Sequence, residues 1–394
     1  MLYSIPVEVQ NKGASEVVDF LLRDESIEEI VINGSQEAVM VYDREKGLTK
    51  TDFVLDEKAI SSLIQSIAVY NKKKIDEAHP VMDARLPDGS RVNATIPPAT
   101  PQGSTITIRK FLKKKNTLID LVKNGTLTSE AAAFLWCCVE GLDELAANII
   151  IAGGTGSGKT TTLNTLCSFI PPNQRIVVLE DTMELQIAHQ NVVRMEAARK
   201  VTMDSLLKNC LRMRPDRIIV GEVRGSEAVS LFEAMNTGHR GVMGTLHANS
   251  AKDVLLRVTN PPMNVPQNLL SSLDLVVIQK KMPSGKRRVV EISEIATQGT
   301  QSAYNQLFLF KNGALTRTKI PSRFQTKQLQ AIRVEFRFYQ AILEQRKQIF
   351  DLCIEQGASG SQFLAILDAQ RESWKSIQLP EEPKGFFGKI FHKK

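Results

Sequence analysis

The feature that most constrains this chain of 394 residues is a glycine-rich octapeptide, Gly153-Gly154-Thr155-Gly156-Ser157-Gly158-Lys159-Thr160. It matches the pattern G-x-x-x-x-G-K-S/T, and it lies between an apolar run, NIIIA, and a helix-like segment, TTLNTLCSF. Glycines allow successive backbone N–H groups to point toward phosphate oxygens, and the following helix presents its positive N-terminal end to the anion. The lysine would neutralise charge on the β- and γ-phosphates, and the Thr160 hydroxyl would bind Mg²⁺. The sequence therefore predicts a binding loop for a nucleoside triphosphate, formed by Gly153, Gly154, Thr155, Gly156, Ser157, Gly158, Lys159, Thr160 and Thr161.

Apolar runs on both sides of this loop indicate a parallel sheet. The runs ANIIIAG, RIVVLED, RIIVGEV, GVMGTLHA and LDLVVIQ are separated by helix-like segments and do not alternate apolar with polar residues. Strands of this composition are typical of a sheet that helices cover on both faces. We therefore expect an α/β fold with a RecA-like P-loop core over residues 146–318.

The segments that flank the core differ from it in composition. Residues 1–112 alternate short strands and helices, with a strong hairpin signal at Asp88-Gly89, and they predict a small α+β domain. Residues 113–145 are expected to form a linker and a helix that leads into the core. Residues 319–394 predict a basic helical extension and tail, in which 329–356 carry apolar residues at the spacing of one helix.

Acidic residues and a histidine follow three of the apolar runs. Glu180 and Asp181 end IVVLED, with Glu184 shortly after them; Glu222 ends RIIVGE, and His247 follows GVMGTL. Ligands lie outside the carboxyl ends of the strands in an open α/β sheet, so these side chains are expected beside the bound phosphates. A single acid there is usually a solvated loop carboxylate, and a lone histidine is usually structural. Two acids at strand ends in a P-loop core favour Mg²⁺ binding or orientation of the attacking water, and the histidine could sense the γ-phosphate.

Composition excludes several classes of protein. With 42% hydrophobic and 24% charged residues, the chain resembles globular proteins and not disordered or collagen-like ones. The five cysteines show neither a disulfide framework nor a Cys-x-x-Cys metal site, which favours a reducing compartment. No run approaches the ~18 apolar residues of a membrane helix, and the N-terminus lacks a signal-peptide pattern, so we expect a cytoplasmic protein.

Several motifs together resemble a known family. GGTGSGKTT, VLEDTMEL, RMRPDRIIVGEVRG and TGHRGVMGTLHANS are similar to the Walker A, Asp-box, Walker B and His-box motifs of the type II/type IV secretion ATPase superfamily. The resemblance is greatest to the CpaF branch, the motor of tight-adherence (Tad, Flp-type) pili, and it includes MDARLPDGSRVNATIPP and STITIRKF in the N-terminal domain. It covers residues 27 to 310.

The resemblance implies a role for each motif residue in the core. Lys159 and Thr160 would hold ATP and Mg²⁺. Glu222 would be the Walker B glutamate, which polarises water and helps to hold Mg²⁺, directly or through water. Glu184 and Glu180 would be the Asp-box acids, and His247 the His-box residue.

Arginines of the N-terminal domain reach the triphosphate in such motors, and Arg91 and Arg109 occupy the matching positions. A planar, permanently charged guanidinium can bridge developing charge on the γ-phosphate. The alternative for Arg91 is an ordinary arginine on a strand surface. Five more arginines in the core are interpreted mostly as residues of an interface or of the site's surroundings: Arg212, Arg214, Arg217, Arg224 and Arg240.

As a whole, the resemblance implies a hexameric cytoplasmic ATPase, peripherally associated with the inner membrane. It would couple Mg-ATP hydrolysis to the assembly, or also the retraction, of a Tad or type IV-like pilus, with platform proteins of the inner membrane as partners. A type IV secretion or conjugation ATPase is the related alternative. A nucleic-acid-binding RecA-like protein would need stacking aromatics, but aromatic residues are only 6% of the chain, so nucleic acid is not an expected partner. A slow nucleotide-binding assembly factor is disfavoured because Lys159, Glu222 and His247 are all present.

The net charge of +7 lies entirely in the C-terminal region, since residues 311–394 hold 15 Lys+Arg and 8 Asp+Glu. The tail combines apolar and basic residues at helical spacing: Phe386, Phe387, Ile390 and Phe391 among Lys384, Lys389, Lys393 and Lys394. This composition suits an anionic membrane surface, and a disordered soluble tail is the alternative. We expect residues 320–394 to help seat the hexamer on its membrane platform.

Overall fold

The computed structural model describes residues 2–44, 46–111, 116–198, 200–298 and 301–371. The chain divides into two compact units, Met1–Lys115 (unit 1) and Asn116–Lys394 (unit 2). The tail predicted to bind membranes, with Phe386 and its neighbours, lies outside the described residues. The finer division at residues 112, 145 and 318 stays a prediction.

Unit 1 is a single sheet with helices on one face. Its elements are β1 (Leu2–Tyr3), α1 (Val7–Gln10), α2 (Ala14–Arg23), β2 (Ile27–Ile32), β3 (Ala38–Asp43), β4 (Gly47–Val54), α3 (Glu57–Tyr70), β5 (Val81–Arg85), β6 (Arg91–Thr95) and β7 (Thr105–Arg109). The strand order is β1-β4-β3-β2-β7-β6-β5, and only β1 and β4 pair in parallel. Helices α2 and α3 bury apolar stripes that include Leu21 and Ile64 against the sheet. The predicted α+β fold and the hairpin around Asp88-Gly89, which joins β5 to β6, are confirmed.

Unit 2 contains the core and the C-terminal helices. Its elements are α4 (Leu118–Lys123), α5 (Ser129–Glu140), β8 (Ile149–Gly153), α6 (Lys159–Leu166), β9 (Ile176–Glu180), β10 (Val192–Glu196), α7 (Met203–Cys210), β11 (Arg217–Val220), α8 (Glu227–Asn236), β12 (Met243–Leu246), α9 (Ala251–Thr259), β13 (Leu275–Lys281), β14 (Arg287–Gln298), β15 (Gln301–Lys311), β16 (Ala314–Arg317), α10 (Arg323–Ile332), α11 (Phe336–Glu355) and α12 (Gly360–Gln370). Short 3₁₀ turns lie at Cys167–Phe169, Leu211–Met213 and Gln267–Ser272.

The sheet of unit 2 has nine strands in the order β10-β9-β11-β12-β8-β13-β14-β15-β16. The first six are parallel to one another, and β14, β15 and β16 extend the sheet by antiparallel pairing. All five predicted apolar runs form parallel strands, as β8, β9, β11, β12 and β13. One face is covered by α4, α5, α6, α11 and α12, and the other by α7, α8 and α9. Coverage on both faces explains why the strands are uniformly apolar, and it confirms the predicted α/β class.

The C-terminal region differs from its prediction at one point. A single helix was expected over residues 329–356, but α10 ends at Ile332 and α11 begins at Phe336. Arg333 between them adopts a left-handed conformation, with φ of 57°. Residues of both helices pack on the same small cluster around Cys137 and Tyr339. The three helices, α10 to α12, belong to unit 2.

All five cysteines are buried and reduced: Cys137, Cys138, Cys167, Cys210 and Cys353. Burial raises the pKa of each of these thiols above the ordinary value. In the described part of the chain, no helix is long and apolar enough to cross a bilayer.

Candidate functional site

The glycine-rich loop connects the end of β8 to the start of α6, as predicted from the motif. Gly156 and Gly158 have φ of +69° and +93°, so the loop depends on glycine at both positions. Lys159 is 7% exposed, and its Nζ donates a hydrogen bond to Gly154 O at 2.9 Å. Ser157 Oγ is buried and has no hydrogen-bond partner among the described residues. Buried polar atoms are nearly always paired, so this orphaned hydroxyl fits a loop that receives a polar ligand.

The loop is closely packed at Gly153 and Gly158, where a side chain would collide with its neighbours. A Cβ at Gly153 would lie 2.1 Å from Gln279 O, and one at Gly158 would lie 3.0 Å from Gln279 Nε2. The loop is followed at once by the N-terminus of α6, whose first residues are Lys159, Thr160 and Thr161. Free N–H groups and the helix dipole favour an anion there. These residues therefore fit the phosphates of a nucleotide, and Thr160 supplies the hydroxyl that would bind Mg²⁺.

Glu222 lies just beyond the end of β11, between two partners. Arg224 Nη2 is 2.7 Å from Glu222 Oε2, and His247 Nε2 is 2.9 Å from Glu222 Oε1. Partial burial alone would raise the pKa of Glu222, but the hydrogen bond and charge of Arg224, with the charges of His247 and Lys159, lower it below the ordinary value. Glu222 is thus held as a carboxylate near neutral pH.

His247 follows β12, which lies between β11 and the loop-bearing strand β8. Burial, and then the charge of Lys159, lower the pKa of His247 below the ordinary value, although Glu222 acts in the opposite direction. The imidazole is therefore mostly neutral at pH 7, and one of its nitrogens can accept a proton or a hydrogen bond. The structure brings His247, Glu222 and the loop together at one edge of the sheet, as the sequence predicts.

Glu180 and Glu184 occupy the same edge with different surroundings. Glu180 is 2% exposed, and its Oε1 accepts hydrogen bonds from the backbone N–H groups of Glu184 and Leu185 at 2.9 and 3.0 Å. Burial raises the pKa of Glu180 to about 6, against the effect of those two hydrogen bonds. Glu184 is half-buried, and its charge acts on both Lys159 and Arg224. In this arrangement Glu180 fixes the backbone at Glu184.

Arg91 and Arg109 belong to unit 1. They are exposed and lie directly opposite each other on β6 and β7. Two like charges therefore face each other across neighbouring strands, an arrangement that is unfavourable for a sheet. Their predicted contact with triphosphate stays a prediction.

Three of the five further arginines predicted around the core have different surroundings in the structure. Arg224 alone among them contacts Glu222. Arg217 begins β11, at the opposite end from the loop, where it donates to Gln174 Oε1 and Glu140 O. Arg240 pairs with Asp274 before β12 begins. Their position at the far edge of the sheet gives Arg217 and Arg240 a structural role.

Two residues beside the loop were not predicted. Gln279 ends the apolar part of β13, where Thr162 Oγ1 donates to its Oε1 at 2.7 Å, and Arg287 Nε donates to Gly156 O at 3.0 Å. The motif gives no signal for either, because both depend on β13 pairing with β8. A cavity of about 570 Å³ adjoins the other side of the loop and is lined by Gly153, Gly154, Thr155, His247, Ala248, Asn249, Asp253, Leu256 and Arg257.

A known protein family matches most of the chain. The family described as Type II/IV secretion system protein matches residues 10–350, which include the loop, Glu222 and His247. The chain belongs to this family. The predicted resemblance to the type II/type IV secretion superfamily is therefore confirmed, and the CpaF branch stays a prediction.

Individual members of the family match over different shares of their length. An uncharacterized protein of Methanocaldococcus jannaschii is 50% identical over 240 residues, which are 59% of this chain and 33% of that protein. The chain spans 50% of a second relative from the same organism, so it covers a third to a half of these two proteins. The type IV secretion system protein VirB11 of Bartonella henselae is 31% identical over 323 residues, 70% of this chain and 90% of VirB11. Among solved structures, the pilus retraction motor PilT shares the fold, with a TM-score of 0.51 at 19% identity over 93% of this chain and 98% of PilT.

Proposed function

We propose that this chain is an ATP hydrolase that acts as a motor within the type II/IV secretion family. The observation that carries the proposal is the position of Glu222, a carboxylate held by Arg224 and His247 at the same sheet edge as the phosphate-binding loop. An acid in this position can accept hydrogen bonds from water and orient it toward the terminal phosphate. Family membership supports the proposal, because the match includes every residue of this arrangement.

Each residue of the site has a defined task in this proposal. The loop amides and Lys159 hold the phosphates, and Lys159 exchanges its hydrogen bond with Gly154 O for phosphate oxygens. Thr160 and Glu222 would hold Mg²⁺, which neutralises phosphate charge when it is bound. Glu222 orients the attacking water, and His247 donates to or accepts from the groups around the γ-phosphate. The proposed set of catalytic residues is completed by Glu184, Arg91 and Arg109.

The finer proposal is a homo-hexameric motor for a Tad or type IV-like pilus at the inner membrane. It is supported by the motifs that resemble the CpaF branch in both units, from MDARLPDGSRVNATIPP to TGHRGVMGTLHANS. The alternative is a type IV secretion or conjugation ATPase, which the 31% identity to VirB11 over 90% of that protein favours. Neighbouring genes for a prepilin, a prepilin peptidase and platform proteins would support the pilus, whereas a relaxase or coupling protein would support the alternative.

Turnover by three variants tests the hydrolase. Lys159→Ala is expected to lose nucleotide binding and turnover together, because the loop loses its cation. Glu222→Gln is expected to lower kcat about 10²-fold or more, because the carboxylate that orients water and helps to hold Mg²⁺ is lost. The loop amides and Lys159 still hold the phosphates, so nucleotide affinity should change much less. Glu233→Gln, on the exposed side of α8, is the matched control and should keep full turnover. Full turnover in either Lys159→Ala or Glu222→Gln would refute the proposed mechanism.

Association with anionic membranes is proposed for the C-terminal tail. Flotation with vesicles that contain phosphatidylglycerol compares the full chain with a deletion of residues 380–394, and loss of binding is the expected result. Equal flotation of the two proteins would remove the tail from the proposal.

A further inference from the structure

The hairpin of β13 and β14 lies against the phosphate-binding loop through one residue of each strand, Gln279 and Arg287. The two strands form an antiparallel hairpin that pairs Lys281 with Arg287 and Lys280 with Arg288. Strand β13 also pairs in parallel with β8, so that Gln279 lies beside Gly153, where the loop begins. The hairpin thus follows directly from the strand that borders the loop.

Gln279 contacts both ends of the loop. Its carbonyl oxygen approaches Gly153 so closely that a Cβ there would lie at 2.1 Å. Its side chain is 1% exposed and accepts a hydrogen bond from Thr162 Oγ1, in the first turn of α6, at 2.7 Å. Its Nε2 lies 3.0 Å from the position of a Cβ at Gly158. Gln279 therefore borders the start of the loop with its backbone carbonyl, and it borders the end of the loop and the following helix with its side-chain amide.

Arg287 contacts the middle and the end of the loop. Its Nε donates to Gly156 O at 3.0 Å, and its Cδ lies 3.1 Å from the position of a Cβ at Gly158. The guanidinium thus holds the carbonyl group of Gly156 toward the hairpin. A peptide whose carbonyl is fixed on one side directs the following N–H group to the other side, because the peptide unit is planar.

The neighbouring residue on the hairpin provides a natural comparison. Arg288 points to the opposite face of the hairpin from Arg287, because successive side chains of a strand alternate. Its Nη1 donates to Asn124 O, at the end of α4, and its guanidinium lies beside Gly125. Arg287 and Arg288 therefore carry the same charge and lie on the same hairpin, but of the two only Arg287 contacts the loop.

We propose that the β13–β14 hairpin is a clamp that holds the loop in its phosphate-binding form, with Gln279 and Arg287 as positioning residues. This inference rests on the proposed function for the use of the loop, but the clamp itself concerns only the loop's conformation. The loop amides contact phosphates that ATP and ADP share, so loosening the clamp weakens the binding of both nucleotides. The chemical step, which depends on Glu222, is affected less.

Nucleotide affinity of matched variants tests the clamp. Arg287→Met is expected to raise Kd for both ATP and ADP about tenfold, the effect of losing one hydrogen bond to a charged group. Arg287→Lys keeps a cationic donor and should restore much of the affinity. Arg288→Met is the control, with Kd unchanged. Gln279→Leu keeps the volume but loses the amide, and it should raise both Kd values by a similar factor, with kcat within about twofold of wild type.

Hydrogen exchange of the loop amides, measured without nucleotide, separates the clamp from the proposed function. Exchange at residues 153–158 should be about tenfold faster in Arg287→Met and Gln279→Leu than in wild type or Arg288→Met. Equal exchange in Arg287→Met and Arg288→Met overturns the clamp, even if the wild type hydrolyses ATP. Faster exchange in Arg287→Met supports the clamp, even if the wild type proves to have no turnover, which would refute the hydrolase alone.

Discussion

At the scale of single residues, the site is a set of side chains that fix one another's charge. Arg224 and His247 approach different oxygens of Glu222, and Lys159 acts on both the acid and the histidine. The cations keep the glutamate ionised, and the same cations with burial keep the histidine neutral. A carboxylate and a neutral imidazole side by side can both accept protons, which suits a site that handles water next to phosphate.

Glu180 makes stability depend on pH in a direction opposite to that of most carboxylates. Burial raises its folded-state pKa from 4.5 to about 6, so the folded protein binds more protons than the unfolded chain in this window. Its contribution is fully present below pH 4.5 and is lost as the pH rises through about 6, a change of about 2 kcal/mol. Glu180→Gln should remove this component from the pH dependence.

Urea unfolding of the wild type and Glu180→Gln between pH 4.5 and 6 measures the difference. The free energy of unfolding of the wild type should fall relative to that of the variant as the pH rises. Parallel pH dependences for the two proteins would show that Glu180 is not buried as described.

The site residues differ in how far the sequence reveals them. Glu222 and His247 could be predicted because each follows an apolar run, and the ends of parallel strands meet at one sheet edge. Gln279 and Arg287 could not, since their relation to the loop depends on pairing between strands that are more than a hundred positions apart. Glu180 was predicted as an acid of the site, but only the fold shows that it accepts hydrogen bonds from the backbone N–H groups of Glu184 and Leu185.

At the scale of secondary-structure elements, α5 and α11 are joined by a buried ion pair. Arg346 Nη2 and Glu140 Oε2 are in hydrogen-bond contact, and these residues are 2% and 4% exposed. Trp136 Nε1 donates to the same glutamate at 3.2 Å, and the guanidinium lies 4.5 Å from the centre of the Trp136 ring. Removing one partner leaves the other charged and buried, which is costly.

Glu140→Ala and Arg346→Ala are each expected to lower the free energy of unfolding by about 3–5 kcal/mol. The double change Glu140→Leu with Arg346→Met should cost less than either single change, because no unpaired charge remains. The exposed pair of Lys347 and Asp351 on α11 is the control, and Asp351→Ala should cost at most about 1 kcal/mol. Additive effects of the two buried changes in urea unfolding would contradict the coupling.

The bend between α10 and α11 shows why one element was predicted wrongly. Apolar residues at Leu329, Ile332, Tyr339 and Leu343 have helical spacing throughout, and no proline or glycine marks an end. The chain nevertheless leaves the helix at Arg333, because packing on Cys137 and the hydrogen bonds of Gln328 to Cys137 O and Leu145 O fix α10 separately. Spacing alone cannot detect such a tertiary preference.

At the scale of the whole molecule, the helices after β16 complete the core of unit 2. Phe324, Phe350 and Phe363 are fully buried in the cluster that covers one face of the sheet. Each buried phenylalanine contributes about 1.5–3 kcal/mol, so together they form a large part of the stability of a typical domain. The basic extension therefore has a structural part, α10 to α12, whatever its remaining residues bind.

Two truncations test this division. A chain that ends at residue 318 should lose its cooperative unfolding transition, because it exposes the face that α11 and α12 cover. A chain that ends at residue 371 keeps every described contact and should unfold at nearly the same urea concentration as the full chain. Cooperative unfolding of the shorter chain, measured by tryptophan fluorescence, would contradict an integral role for these helices.

Most of the architecture could be predicted from the sequence, because uniformly apolar strands alternate with helices and predict a covered parallel sheet. The antiparallel strands β14 to β16 were not predicted. Their residues are more polar, and their pairing is set by the edge that β13 offers. The loop motif locates the core within the sequence. The antiparallel extension of its sheet, β14 to β16, can be recognised only from the structure.

The burial of every cysteine has a practical consequence for measuring motion in this protein. A thiol reagent can reach Cys137, Cys138, Cys167, Cys210 or Cys353 only when the surrounding structure opens. The rate at which each native thiol is modified would thus report how often the structure around it opens. Cys137 and Cys138 would report on α5, Cys167 on the end of α6, Cys210 on α7 and Cys353 on α11. A cysteine introduced at an exposed position could be labelled selectively without first replacing these five, which would permit spectroscopic distance measurements on an otherwise unaltered chain.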